Sequence, residues 1–219
     1  MSEWVAWHKG YEPGSPLSRR LAIVQGLIRS ALDASPPGPI RIISMCAGDG
    51  RDLLGVLPGH ARQADVRARL VELDPELSQR GRDRAQELAP QVEVITGDAA
   101  NTSAYADRIP ADIVLVCGVF GNVTDDDIHH TIDQLATLSA PNATVIWTRG
   151  TFEPDLTPTI RVWFMEAGFT ELDFIAVPDT TVGVGANRLT SAPQAFVPDV
   201  QLFSFLARAD RPSQNSNAR

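Results

Sequence analysis

The stretch Ile40-Arg41-Ile42-Ile43-Ser44-Met45-Cys46-Ala47-Gly48-Asp49-Gly50-Arg51-Asp52-Leu53-Leu54 decides how the rest of the chain is read. Its first part is an apolar run of strand type that stops at a Gly-x-Gly turn. Its last part enters a helix, expected over 51–57, through Arg51-Asp52-Leu53-Leu54. Glycine at 48 and 50 removes side chains where a ligand would meet the backbone. The N-terminus of the following helix would aim its free N–H groups at the same place. Strand, glycine turn and helix in that order point to a nucleotide-type cofactor site.

Outward from this turn the chain alternates. Strands are expected at 40–44, 68–73, 92–96, 112–117 and 144–148, each followed by a helical pattern: 51–57, 75–88, a short one near 102–108, 125–138 and 158–167. Two further strands follow near 171–177 and 200–206, joined by a long connection, 178–199, rich in Pro, Gly and Thr. Strands separated by helices call for βαβ units and a parallel sheet. The last two, with no helix between them, should pair antiparallel. Ahead of the first strand, Leu17, Leu21, Val24, Ile28 and Leu32 recur at helical spacing, and Ser35-Pro36-Pro37-Gly38-Pro39 ends that helix. Residues 1–37 therefore read as an N-terminal segment on the substrate side, 38–209 as one cofactor-binding domain, and 210–219 as a polar, disordered tail.

Composition narrows the function. A chain of 219 residues, 43% hydrophobic and 21% charged, is long enough for one domain with a full core. Its formal net charge of −8 disfavours nucleic acid and anionic membrane as partners. No apolar run approaches the ~18 residues of a membrane span, and Met1-Ser2-Glu3-Trp4 lacks the features of a signal peptide. The two cysteines, Cys46 and Cys117, suggest neither a disulfide framework nor a zinc site. A cytoplasmic protein is the expectation.

Open parallel sheets bind ligands beyond the carboxyl ends of their strands. The first strand ends in Cys46-Ala47-Gly48-Asp49-Gly50. The second ends in Glu72-Leu73-Asp74-Pro75-Glu76, with Glu72 about 22 residues beyond Gly50, near the ~20 expected of a carboxylate that grips ribose hydroxyls. Asp74 fits the N-cap of the next helix, with Pro75 at its first position. The third strand ends in Gly97-Asp98-Ala99, where a carboxylate could accept from an amino group on adenine. The fourth ends in Cys117-Gly118-Val119-Phe120-Gly121-Asn122.

In this order the chain resembles the class I S-adenosylmethionine-dependent methyltransferases over roughly 38–206. The family's acid-x-Gly-x-Gly-x-Gly motif falls on Ser44, Cys46, Gly48 and Gly50, so two of its four positions depart. Gly48-Asp49-Gly50-Arg51-Asp52 resembles the Gly-x-Gly-Arg-Asp variant of that motif. Glu72-Leu73-Asp74-Pro75-Glu76 is similar to Asp-x-Ser-Pro-Glu, Gly97-Asp98-Ala99 to the adenine-binding turn, and Pro110-Ala111-Asp112-Ile113-Val114-Leu115-Val116 to the fourth strand. Pro141-Asn142-Ala143-Thr144-Val145 stands loosely where the family has Pro-Gly-Gly. The resemblance implies a three-layer α/β/α sandwich with a seven-stranded, mostly parallel sheet in the order 3-2-1-4-5-7-6, strand 7 antiparallel, and an N-terminal helical lid. It implies S-adenosyl-L-methionine as cofactor, S-adenosyl-L-homocysteine as product, and Cys46, Ala47, Gly48, Gly50, Glu72, Leu73, Asp98, Ala99, Cys117 and Gly118 at the cofactor. An NAD-binding reading would want a third glycine at position 53, which is Leu, and gives Gly97-Asp98-Ala99 no role.

Methyl transfer needs alignment of donor and acceptor, exclusion of water, and a base only when the acceptor arrives protonated. Trp4, Trp7, His8 and Tyr11 crowd the N-terminal stretch. Their rings could hold a flat substrate or a cation, and His8, with Tyr11, is the candidate for proton transfer. Phe120, Asn122 and Arg149 follow the fourth and fifth strands and are candidate substrate contacts, with Trp4 and Trp7. Asp125, Asp126 and Asp127 suit a helix start and need no metal. The Asn/Asp-Pro-Pro-Tyr signature is missing, which points away from amino groups on nucleobases or glutamine. The expected activity is methyl transfer to a small molecule. The alternatives are another reaction of the same cofactor (aminopropyl transfer or cyclisation), cofactor binding without catalysis, and an NAD-dependent oxidoreductase. The oligomeric state is not legible.

Overall fold

A computed structural model describes residues 3–8, 10–89, 91–151 and 153–207. Helix α1 (Glu3–His8) and helix α2 (Pro16–Ala34) precede strand β1 (Ile40–Met45) and the single turn of α3 (Arg51–Leu54). Then come β2 (Val66–Glu72), α4 (Pro75–Leu88), β3 (Val92–Thr96), β4 (Ala111–Val116), α5 (Asp125–Leu138), β5 (Ser139–Gly150), α6 (Thr157–Glu166), β6 (Phe169–Ala176) and β7 (Val182–Leu189). The seven strands form one sheet in the order 3-2-1-4-5-7-6. β1 pairs parallel with β2 and β4, and β7 runs antiparallel to both β5 and β6.

The central strands β1, β4 and most of β5 are buried nearly throughout because helices cover both sheet faces, whereas β3 and β6 at the edges are partly exposed, and the period of two sorts the side chains between two cores. Ile42, Leu70, Leu115 and Ile146 face α2 and α3, meeting Val24, Ile28, Leu32, Leu53 and Leu54. Ile43, Val114, Val145 and Trp147 face α5 and α6, meeting Ile128, Ile132, Leu135, Ile160 and Phe164. The helix starts carry the caps their residue types dictate. Ser15 accepts from the Ser18 N–H, Asp74 from Glu76 and Leu77, and Thr124 from Asp127. α2 thus belongs to a helical layer, while His8 sits over the glycine turn.

Several sequence expectations need correction. The last strand is Val182–Leu189, not 200–206, so the β6–β7 connection is a tight turn closed by Val177 N–H to Val182 O at 2.8 Å. Val182-Gly183-Val184-Gly185 reads as loop by its glycines, yet both sit in the ladder because neighbouring rings lie across them. A Cβ on Gly185 would stand 2.3 Å from Trp147 Cε2, and one on Gly183 2.3 Å from Phe174 Cζ. Residues 200–206 form a strap instead, making one bridge, Asn101 to Gln201, and burying Leu202 and Phe203 in the α5 core. The helix expected over 51–57 is one turn, 51–54, and that near 102–108 is a 3-10 turn, Thr102–Tyr105. The tail 210–219 lies outside the described residues. No helix among the described residues is long and apolar enough to cross a membrane.

Candidate active site

The carboxyl ends of β1 and β2 meet through Glu72. Its Oε2 accepts from the Gly48 N–H at 2.8 Å and its Oε1 from the Asp74 N–H at 2.8 Å. Burial pushes the Glu72 carboxyl up, and these N–H bonds pull it back part of the way. The turn it holds has three residues in left-handed backbone: Cys46 at φ 50°, Gly48 at 58° and Gly50 at 73°. Cys46 therefore occupies a position that asks for glycine, which is one of the two places where the turn departs from the pattern it resembles. Gly50 is needed for packing: a Cβ there would stand 2.8 Å from both Leu54 Cδ1 and Leu70 Cδ2.

The N–H groups of this turn are largely spent inside the protein. Ala47 donates to Val71 O, Gly48 to Glu72, Gly50 to Ala47 O and Arg51 to Asp49 Oδ1. The free donors expected at a helix start are thus mostly taken, and α3 is too short to sum much of a dipole. Arg51 forks onto Asp49, Nε to Oδ1 at 2.8 Å and Nη2 to Oδ2 at 2.5 Å, and Arg84 lies 3.6 Å from Oδ1. Burial alone would raise the Asp49 carboxyl. The hydrogen-bonded guanidinium of Arg51, with Arg84 and His8, holds it below the usual range.

The N-terminal segment lies on top. The His8 imidazole rests on Gly48: a Cβ on that glycine would be 2.6 Å from His8 Cε1 and 2.7 Å from Nε2. The His8 side chain is 9% exposed, and its Nδ1 stands 3.9 Å from Asp49 Oδ1, beyond hydrogen-bonding distance. Burial lowers its pKa to about 4 against the opposing pull of Asp49, so the ring is neutral near pH 7. Tyr11 accepts from Arg20 Nη2 at 2.5 Å, and the Arg51 guanidinium lies 4.0 Å over its ring. Burial pushes the Tyr11 phenol up, so it stays protonated. Trp7 meets Tyr11 edge-on at 5.4 Å and carries Arg20 5.3 Å over its ring. Trp4 meets Phe205 of the strap at 5.6 Å.

The other expected residues divide. Asp98 lies exposed on the β3 side, its Oδ1 accepting from Ala100 N–H at 2.9 Å and its Oδ2 from Gln201 Nε2 at 3.2 Å. Ala99 is buried beside it, and its carbonyl accepts from the buried Tyr105 hydroxyl at 2.8 Å. Leu73 lies past the strand and is 70% exposed. Gly118, at φ 79°, donates to Thr148 Oγ1 at 2.8 Å and accepts from Asn122 Nδ2 at 2.8 Å, and no atom comes within 4 Å of where its Cβ would be. Phe120 is wholly buried against Trp147 and serves the core. Arg149 is buried and donates to the Phe120 carbonyl, with burial lowering its pKa against the pull of Asp125 and Asp155. Burial also pushes both thiols up, Cys46 next to Glu72 and Asp98, Cys117 next to Asp52, so neither is a ready nucleophile. Among the described residues no group of three His, Cys, Asp or Glu side chains could hold a metal ion. The sequence reading missed Arg20, Asp49, Arg51 and Gln201. Arg20 left a signal, for it stands one helical step before Val24 and Ile28 on the apolar face of α2, where an arginine is out of place.

Solved structures share this architecture at low identity. They include the CurJ carbon methyltransferase, with a TM-score of 0.66, 16% identity, and 83% of this chain covering 57% of that one. Magnesium protoporphyrin IX methyltransferase (ChlM) from Synechocystis PCC 6803, with bound S-adenosylmethionine, gives 0.65 and 14%, over 83% of this chain and 88% of that one. The N-methyltransferase NodS from Bradyrhizobium japonicum WM9, with S-adenosylhomocysteine, gives 0.62 and 13%, over 83% and 91%. The chain thus spans a little over half the length of CurJ. No protein-family model and no curated protein sequence matches it. The fold is that of the Rossmann-like, class I S-adenosylmethionine-dependent methyltransferases.

Proposed function

We propose that this chain is an S-adenosylmethionine-dependent methyltransferase that transfers a methyl group directly to a small-molecule acceptor. The observation that carries the choice of cofactor is the state of the glycine turn. A dinucleotide's pyrophosphate needs free backbone N–H groups at the turn and helix start. Here Ala47, Gly48, Gly50 and Arg51 have already donated theirs, two of them to carboxylates. What the site offers is acceptors. The Glu72 carboxylate takes the Gly48, Leu73 and Asp74 N–H groups and keeps one lone pair for a ribose hydroxyl, and Asp98 keeps one for an amino group. That donor and acceptor set fits S-adenosylmethionine.

When bound, this cofactor supplies an electrophilic methyl carbon with its leaving group already in place. The protein's part is then positional. Glu72 and Asp98 orient the nucleoside end. Trp4, Trp7, His8 and Tyr11 close over the turn as a lid and keep water out. His8 is uncharged at neutral pH, and the burial that lowers its pKa to about 4 also weakens it as a base, so it takes a proton only from an acidic acceptor. Tyr11, held protonated, orients the acceptor. Gly118 and Asn122 border the acceptor's space.

Calorimetric titration with S-adenosylhomocysteine and, separately, NAD tests the reading on wild type and Glu72→Ala. Micromolar binding of the first ligand, weakened by the substitution, supports it. Binding of NAD alone overturns it. In an acceptor screen, methylthioadenosine as product in place of S-adenosylhomocysteine would move the assignment to aminopropyl transfer or cyclisation.

A further inference from the structure

The strap crosses the sheet's carboxyl edge with its backbone pinned on both sides of Gln201. Val200 O accepts from the Thr102 N–H at 3.0 Å and Val200 N–H donates to Thr102 Oγ1 at 3.0 Å. Leu202 N–H donates to Ala100 O at 2.8 Å, and Leu202 O accepts from Thr131 Oγ1 at 2.9 Å. The Gln201 side chain has as little freedom. Its Nε2 donates to Asp98 Oδ2 at 3.2 Å and to Phe203 O at 3.1 Å, so both amide hydrogens are used. With Ala100 N–H on Oδ1, each oxygen of Asp98 holds one donor and the carboxylate plane is fixed. One lone pair per oxygen remains, in a set direction.

We propose that Gln201 is a positioning residue through which the C-terminal strap sets the site's selectivity for an amino-bearing purine. It does so by fixing the Asp98 carboxylate to receive one N–H of the exocyclic amino group. The inference rests on the cofactor reading above. An amino group on the base donates to that lone pair, whereas a 6-oxo group in its place presents a second acceptor and gains nothing. Selectivity of this kind depends on the site's acceptor being held in place rather than free to turn toward water.

The test titrates wild type, Gln201→Ala and Gln201→Glu with S-adenosylhomocysteine and with S-inosylhomocysteine, its 6-oxo counterpart. Gln201 is at the surface, so the alanine variant leaves the core intact. Gln201→Ala is expected to weaken S-adenosylhomocysteine about three- to tenfold, the factor one hydrogen bond commands, and to leave the inosine analogue within about twofold. The preference for the amino base shrinks by the same factor. Gln201→Glu keeps the length and loses the donor, so the preference shrinks at least as far. Equal weakening of both ligands, or no change in either, overturns the proposal while the cofactor reading stands. Failure of wild type to bind S-adenosylhomocysteine overturns both.

Discussion

The contact between His8 and Gly48 can be weighed by a mutant cycle. Gly48 lies at φ 58°, where an alanine costs about 1–2 kcal/mol of backbone strain. A Cβ there would also stand 2.6 Å from His8 Cε1, short of the 3.4 Å at which ordinary contact begins, so the imidazole must retreat by about 0.8 Å. Overpacking of that kind costs about 1–3 kcal/mol, limited above by the free energy of lifting α1 off the site. Gly48→Ala is therefore expected to destabilise by about 2–5 kcal/mol. At about 2–4 °C per kcal/mol for a chain of this size, Tm falls by roughly 4–20 °C. In a His8→Ala background the overlap is gone and only the strain remains. Urea denaturation of wild type, both single variants and the double variant, followed by circular dichroism, should show a coupling of about 1–3 kcal/mol. A cycle that closes to within about 0.5 kcal/mol would mean that His8 does not rest on Gly48 in solution.

Protonation offers an independent handle on the same residue. Because burial depresses the His8 pKa from 6.5 to about 4, the undocked segment takes up the proton first. Docking is fully favoured above pH 6.5 and weakens as pH falls toward 4. Hydrogen-exchange protection in α1, taken relative to the intrinsic rate at each pH, should fall as pH drops through that window in wild type and not in His8→Ala, and unchanged protection in wild type would refute the burial of His8. Cys46, at φ 50°, should tolerate glycine to within about 1 kcal/mol, relief of strain offsetting the added freedom of the unfolded chain. Cys46→Val should cost about 1–3 kcal/mol more, and equal Tm values for the two variants would speak against the left-handed turn. Gly185→Ala drives a Cβ into Trp147, which is buried and bonded to Asn187 Oδ1 at 2.8 Å, and should cost about 3 kcal/mol. Gly183→Ala meets the half-buried Phe174 ring on the edge strand, which can swing away, and should cost less. The reverse order would place β7 wrongly.

The parts of the fold that burial constrains on both sides were legible. β1 and β4 read as strands because a sheet covered on both faces admits little but Val, Ile, Leu and Ala, β2 and β3 read by alternation, and Glu72 stood out at the end of β2. β7 was hidden because its identity is written in its neighbours. Gly183 and Gly185 look like loop until Phe174 and Trp147 are seen lying across them. The alternation Leu202-Phe203-Ser204-Phe205 misled for the opposite reason, since a strap that buries two side chains in the α5 core has the hydrophobicity of a strand without its pairing. The same error concealed Gln201, whose meaning depends on a contact to Asp98 more than a hundred residues earlier. Arg51 was visible in the motif, but its role in holding Asp49 and covering Tyr11 exists only in three dimensions.

The N-terminal helix and the strap meet beside the candidate site. α1 seats His8 on Gly48, Trp7 on Tyr11 and Trp4 on Phe205, and the strap carrying Phe205 is bonded through Leu206 N–H to Asn122 O at 2.8 Å. A six-residue helix has too few internal hydrogen bonds to be stable alone, so α1 stays folded through these contacts. Lifting it breaks them in one step, and that step exposes the glycine turn and the wall of the strap at once. Under the proposed function, admission of a cofactor and of an acceptor would be coupled to the same opening. Sheet residues answer to the core, whereas Trp4, Trp7, His8 and Phe205 answer mainly to one another and to what they enclose. If the chain is the methyltransferase proposed above, these two segments select the acceptor, and replacing Trp4 or Phe205 should change acceptor preference before it changes cofactor affinity.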